Sequence, residues 1–77
     1  MQASDIQALL ASEMADASID VQGQDGKFLV KVVSEVFDGL NAVKRQQFVY
    51  RLLNPHISSG AIHAVSMELS APGEGKA

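Results

Sequence analysis

The sequence predicts an α+β domain in the order αββααβ, with a three-stranded mixed sheet and its helices on one face. Three observations carry this. Apolar residues near the N-terminus recur at helical spacing, a run of period two and a run apolar on both faces meet at a glycine-flanked turn, and a third apolar strand follows a long helical segment.

The 77 residues form one domain, expected to be ordered over about 4–70 with a frayed tail at 71–77. A chain this short buries only about 60 to 65% of its unfolded surface, so binding belongs on the surface and not in a deep pocket. Hydrophobic residues at 47% against 19% charged exclude a disordered chain. With no cysteine the domain has no disulfide, thiolate nucleophile or thiolate metal ligand of its own. Residues 1–16 lack the charged segment and apolar run of a secretory leader, and no stretch approaches the roughly 18 apolar residues of a membrane span. The cytoplasm is the expected compartment, with no membrane partner. A net charge of −3 argues against bulk affinity for nucleic acid.

The first helix is expected to start at Ser4, with Gln7 completing a capping box, and to bury Ile6, Leu9, Leu10 and Met14. Ile19 and Val21 then alternate with polar residues, Gly23-Gln24-Asp25-Gly26 turns the chain, and Lys27 to Val33 is apolar on both faces, giving a hairpin over 18–33. The Gly23/Gly26 spacing matches the GxxG of nucleic-acid-binding KH modules, but those place it between helices and this one joins strands. Ser34 to Leu40 is a connector whose Val36 and Phe37 are expected beneath the sheet. Asn41 caps a helix over 42–53, with Phe48, Val49, Leu52 and Leu53 inward and Lys44, Arg45, Gln46 and Arg51 outward. Asn54-Pro55 is expected to end it and begin a short helix closing at Gly60.

Strand three is expected over Ala61 to about Leu69. Its Val65, Met67 and Leu69 share the core-facing side with His63, which sits at the leading rim after Ser59-Gly60 and is therefore partly solvated. The helical crossover makes strands two and three parallel and puts strand two in the centre. The expected core is Ile6, Leu9, Leu10, Ile19, Val21, Phe28 or its sheet-face neighbours, Phe48, Leu52, Val65 and Met67. Leu52→Ala is expected to cost about 2 to 5 kcal/mol.

The run Val32-Val33-Ser34, then Phe37-Asp38-Gly39, Val43-Lys44-Arg45-Gln46-Gln47 with Val49-Tyr50, and Ile62-His63-Ala64-Val65-Ser66 resembles the BolA-like proteins, especially their YrbA-like branch. The resemblance implies a fold like a type II KH domain. It also implies a partnership with monothiol glutaredoxins in binding or transferring two-iron two-sulfur (2Fe-2S) clusters, or in iron regulation, linked to stress response. In such complexes the glutaredoxin cysteine and glutathione supply thiolates and the BolA-like protein supplies nitrogen. His63 matches the family's ligand histidine, and no cofactor is expected in the isolated domain. Arg51, His56 and Ala64 are the expected partner contacts. The chain alone is expected to be a monomer or a weak homodimer.

Imidazole is an established substitute for thiolate on cluster iron, and its titration near neutral pH makes binding sensitive to acid. The bland alternative is a strand-rim histidine bonded to a carbonyl. His56 has no ligand role by family position, and its spacing from His63 is no zinc signature. The family commonly carries a second ligand in the hairpin loop. The matching position here holds Lys27, whose ammonium has no lone pair at neutral pH, so Lys27→His is expected to slow cluster loss. The competing function is nucleic-acid binding and transcriptional control through Lys44, Arg45 and Arg51, but at most about three neutralised phosphates would give weak affinity. No nucleophile elbow or phosphate loop surrounds Ser34, Ser66 or His63, so an enzyme is not expected.

Overall fold

The computed structural model describes residues 1–74. Helix α1 spans Ala3–Glu13, strands β1 and β2 Ser18–Gln24 and Lys27–Val33, a 3-10 turn Glu35–Phe37, helix α2 Ala42–Ser58 and strand β3 Ala64–Ser70. The sheet order is β1-β2-β3, with β1 antiparallel and β3 parallel to the central β2. The chain therefore has the expected α+β fold with a mixed three-stranded sheet.

Helix α1 begins two residues before the expected Ser4/Gln7 box, with Gln2 as its N-cap. The Gln2 amide donates to Asp5 Oδ2 at 2.7 Å and the Asp5 amide to the Gln2 carbonyl at 3.0 Å, so Asp5 satisfies the helix entrance and Ser4 lies inside it. Ile6, Leu10 and Met14, four residues apart, form the buried stripe, while Leu9 is half-buried beside it.

The hairpin is tighter than a four-residue turn. Gln24 still pairs with Lys27, leaving Asp25 (φ 57°) and Gly26 (φ 80°) as a two-residue loop with both φ values positive, the geometry that matches the twist of antiparallel strands. Gly23 stays in the ladder, where an added Cβ would stand 2.1 Å from the Lys27 carbonyl oxygen.

Central β2 buries Phe28, Val30 and Val32 and leaves Lys27, Lys31 and Val33 exposed on the other face. Its apolar character on both sides thus reflects strand neighbours and not two covered faces. On the buried side Phe28 pairs with Val65, Val30 with Met67 and Val32 with Leu69. Of Val36 and Phe37 only Phe37 is buried, edge-on to Phe48 with ring centroids 5.9 Å apart, whereas Val36 is 41% exposed. The Ser34 hydroxyl accepts from the Val36 amide and fixes that turn, so consecutive residues cannot both face inward.

Asn41 caps α2 as expected, accepting from the Lys44 amide at 2.9 Å. The helix does not stop at Asn54-Pro55. It runs unbroken to Ser58, so the two expected helices are one. Pro55 deletes its own amide donor, but Val49 and Leu53 are fully buried and Ile57 packs against the core one turn later, which holds the stripe across the missing bond. The same stripe corrects the expected core. Leu53 and Val49 occupy its centre, while Phe48 and Leu52 are only half-buried, as are Ile19, Val65 and Met67.

Strand β3 starts at Ala64, three residues later than expected. The tail is fixed at least to Glu74: Ala71 is buried, and the Arg45 guanidinium grips the Glu74 carboxylate. Residues 71–74 of the tail expected to fray thus pack against the domain, while 75–77 lie outside the described residues. Among the described residues no helix is long and apolar enough to cross a membrane.

Candidate functional site

His63 stands where the end of α2 hands the chain to β3. The helix closes at Gly60 (φ 85°), and buried Ile62 then plugs into the core while its amide donates to the His56 carbonyl at 3.1 Å. With Ile62 inside, His63 emerges exposed, one residue ahead of the strand. The sequence placed it in the strand, on the core-facing side; the ladder instead begins at Ala64, and Ile62, not His63, is the buried residue at that rim.

The hairpin tip fixes the histidine's backbone. The Gly26 carbonyl accepts the His63 amide at 2.7 Å and the Ala64 amide at 3.0 Å. A shallow groove of ≈ 350 Å³, lined by Tyr50, Ile57, Ile62, His63, Ala64 and Val65, runs beside the ring. An apolar groove next to an exposed imidazole is a surface on which a second protein can dock and share a ligand.

The other expected site residues scatter. Ala64 is exposed beside His63, and Arg51 is exposed on α2. His56 is half-buried in the last turn of α2, and its carbonyl takes the Ile62 amide and the Ser59 hydroxyl. Lys27 is exposed and pairs with Ala64, on the open face of the sheet opposite Phe28. Lys44 is exposed, but Arg45 is not a free cation. Its Nε donates to the Leu40 carbonyl at 2.8 Å, its Nη1 to the Leu69 carbonyl at 3.3 Å, and both Nη atoms to Glu74. The Glu74 carboxyl is held down at about 2, chiefly by hydrogen bonding from Arg45 and then by the Ala71 amide, and the Arg45 guanidinium is correspondingly pushed up. Ser34, whose amide bonds to the Ser70 carbonyl, lies at the opposite end of β2 and β3 from His63, too far for a nucleophile–base pair.

Among the described residues no cluster of three or more histidine, aspartate or glutamate side chains is placed to hold a metal ion. The site offers one exposed imidazole beside the groove. The groove residues Tyr50, Ile57 and Ile62 were not singled out from sequence; the signal was available in Tyr50 and Ile57, seven residues apart and so on one side of α2.

The family profile described as BolA-like protein matches residues 2–74. The chain belongs to the BolA-like family. Among similar proteins, the acid stress protein IbaG of Escherichia coli is 38% identical over 74 residues, spanning 96% of this chain and 88% of that protein. Among solved structures, BolA1 from Arabidopsis thaliana superimposes with a TM-score of 0.82 at 32% identity, covering 94% of this chain and 93% of that one. The BolA domain of SufE1 from the same plant gives 0.84 at 30% identity, over the same shares of the two chains.

Proposed function

We propose that this BolA-like protein partners a monothiol glutaredoxin in binding and passing on a 2Fe-2S cluster, His63 supplying an imidazole and the partner and glutathione the thiolates. The observation that carries this is an exposed imidazole held on a rigid rim beside an apolar groove, in a chain with no cysteine. A single fixed nitrogen suits a ligand completed by another molecule better than a self-contained metal site. Cluster iron needs the neutral imidazole, so acid would weaken the bond by protonation. That behaviour accords with the acid-stress name of the similar Escherichia coli protein.

The groove supports a docking face beside His63. Glutaredoxin should cover Tyr50, Ile57 and His63 to Val65, with Arg51 and His56 at the border aiding encounter. Titrating labelled protein with glutaredoxin and glutathione under anaerobic conditions tests this. Amide shifts should concentrate on 50–65, and shifts confined to α1 would place the partner elsewhere. Nucleic-acid binding has weaker support, because Arg45 is committed to Leu40, Leu69 and Glu74 and only Lys44 and Arg51 of the expected cations remain exposed.

A further inference from the structure

Gly26 meets His63 in two ways. Its carbonyl accepts the amides of both His63 and Ala64, so one residue of the hairpin tip sets the backbone on either side of the His63 side chain. It also faces the imidazole directly. A Cβ added to Gly26 would stand 3.0 Å from His63 Cγ, 3.2 Å from Nδ1 and 3.4 Å from Cβ. The first two distances are inside ordinary van der Waals contact, so a side chain at 26 must shift the ring by a few tenths of an ångström. The Cγ–Nδ1 edge therefore lies against the hairpin, and Nε2 is the ring nitrogen farther from it.

From this geometry we propose that Gly26 is a positioning residue for the imidazole of His63. Its carbonyl anchors the histidine's main chain, and its missing side chain lets the ring lie on the hairpin tip with Nδ1 inward and Nε2 presented to the partner. The use of Nε2 as the iron ligand rests on the proposed cluster function; the placement of the ring does not. The hairpin thus takes part in the site without a side-chain ligand from the loop.

Gly26 is also required by its backbone, at φ 80°, and that requirement must be separated from the contact. Gly39 provides the control. It has the same φ of 80°, and an added Cβ there would meet nothing within 4 Å. Gly39→Ala carries the backbone penalty without the ring contact.

The test records ring ¹⁵N and ¹³C signals of His63 across about pH 5 to 8 in the isolated protein, for wild type, Gly26→Ala and Gly39→Ala. Cluster lifetime in the glutaredoxin–glutathione complex is then measured for each. The expected result is that Gly26→Ala shifts the ring signals, changes the Nδ1/Nε2 tautomer ratio and shortens the cluster lifetime severalfold, while Gly39→Ala matches wild type in all three. Ring signals in Gly26→Ala that coincide with those of Gly39→Ala overturn the proposal. Should Gly26→Ala not fold, Gly26→Asn carries the same Cβ on a residue that tolerates positive φ, and the same displacement is expected. If wild type assembles no cluster complex, the functional reading fails, and the ring signals of the isolated protein still decide the positioning role.

Discussion

Arg45 and Glu74 form a two-pronged ion pair, Nη1 to Oε1 at 2.6 Å and Nη2 to Oε2 at 2.8 Å, that ties the tail to the first turn of α2 and the end of β3. Bidentate geometry makes this more than a chance surface contact. It stands at the end of the sheet away from His63, so the two can be perturbed separately.

The pair predicts a defined pH window. Glu74 has its carboxyl lowered from 4.5 to about 2. A carboxylate with a depressed folded pKa adds stability that is complete above the unfolded value and is lost as pH falls through the folded one. Glu74→Gln should therefore lower Tm modestly near neutral pH, since Glu74 is 43% exposed, and the two proteins should converge as pH approaches 2. A constant Tm difference down to that pH would mean that the ion pair is not the source.

Burial predicts an unequal pair of leucines. Leu53 is fully buried, so Leu53→Ala should cost about 2 to 5 kcal/mol in urea unfolding, and half-buried Leu52→Ala less than about 2. Equal losses would put Leu52 back in the core centre.

Most of the fold was legible because periodicity is a local signal. Ile6/Leu10/Met14 and the alternation of β1 and β3 follow from the sequence directly, as does the central position of β2. Three features were not legible because they depend on contacts distant in sequence. Pro55 looks like a helix end until Leu53 and Ile57 are seen packed on either side of it. Arg45 looks like a free surface cation until Glu74, 29 residues away, closes on it. His63 was legible as a site residue, but its support was not, because the Gly26 carbonyl reaches it only after β2 and β3 pair.

The hairpin register revises what Lys27→His should do. Residue 27 pairs with Ala64 on the open face, whereas Gly26 is the residue that faces the His63 ring. An imidazole at 27 should therefore leave the cluster lifetime within about twofold of wild type, because successive side chains of a strand point to opposite faces. A severalfold longer lifetime would show that residue 27 reaches round the strand to the iron.

Binding to DNA should be weak and only mildly salt-dependent. With Lys44 and Arg51 as the exposed pair, the logarithmic salt slope should be about −2, and anisotropy titrations should show no submicromolar affinity at physiological salt. Submicromolar binding, or a slope several times steeper, would put nucleic acid ahead of the cluster.

The central claim is that the exposed His63 imidazole ligates a shared cluster. The most direct measurement is visible absorption and circular dichroism of the anaerobically reconstituted complex with monothiol glutaredoxin and glutathione, for wild type and His63→Ala. His63 is exposed and makes its hydrogen bond to Gly26 through the backbone, so the substitution leaves the fold intact. A distinct heterocomplex spectrum is expected for wild type and is abolished by His63→Ala. A colourless wild-type mixture, or a His63→Ala spectrum identical to wild type, would contradict it.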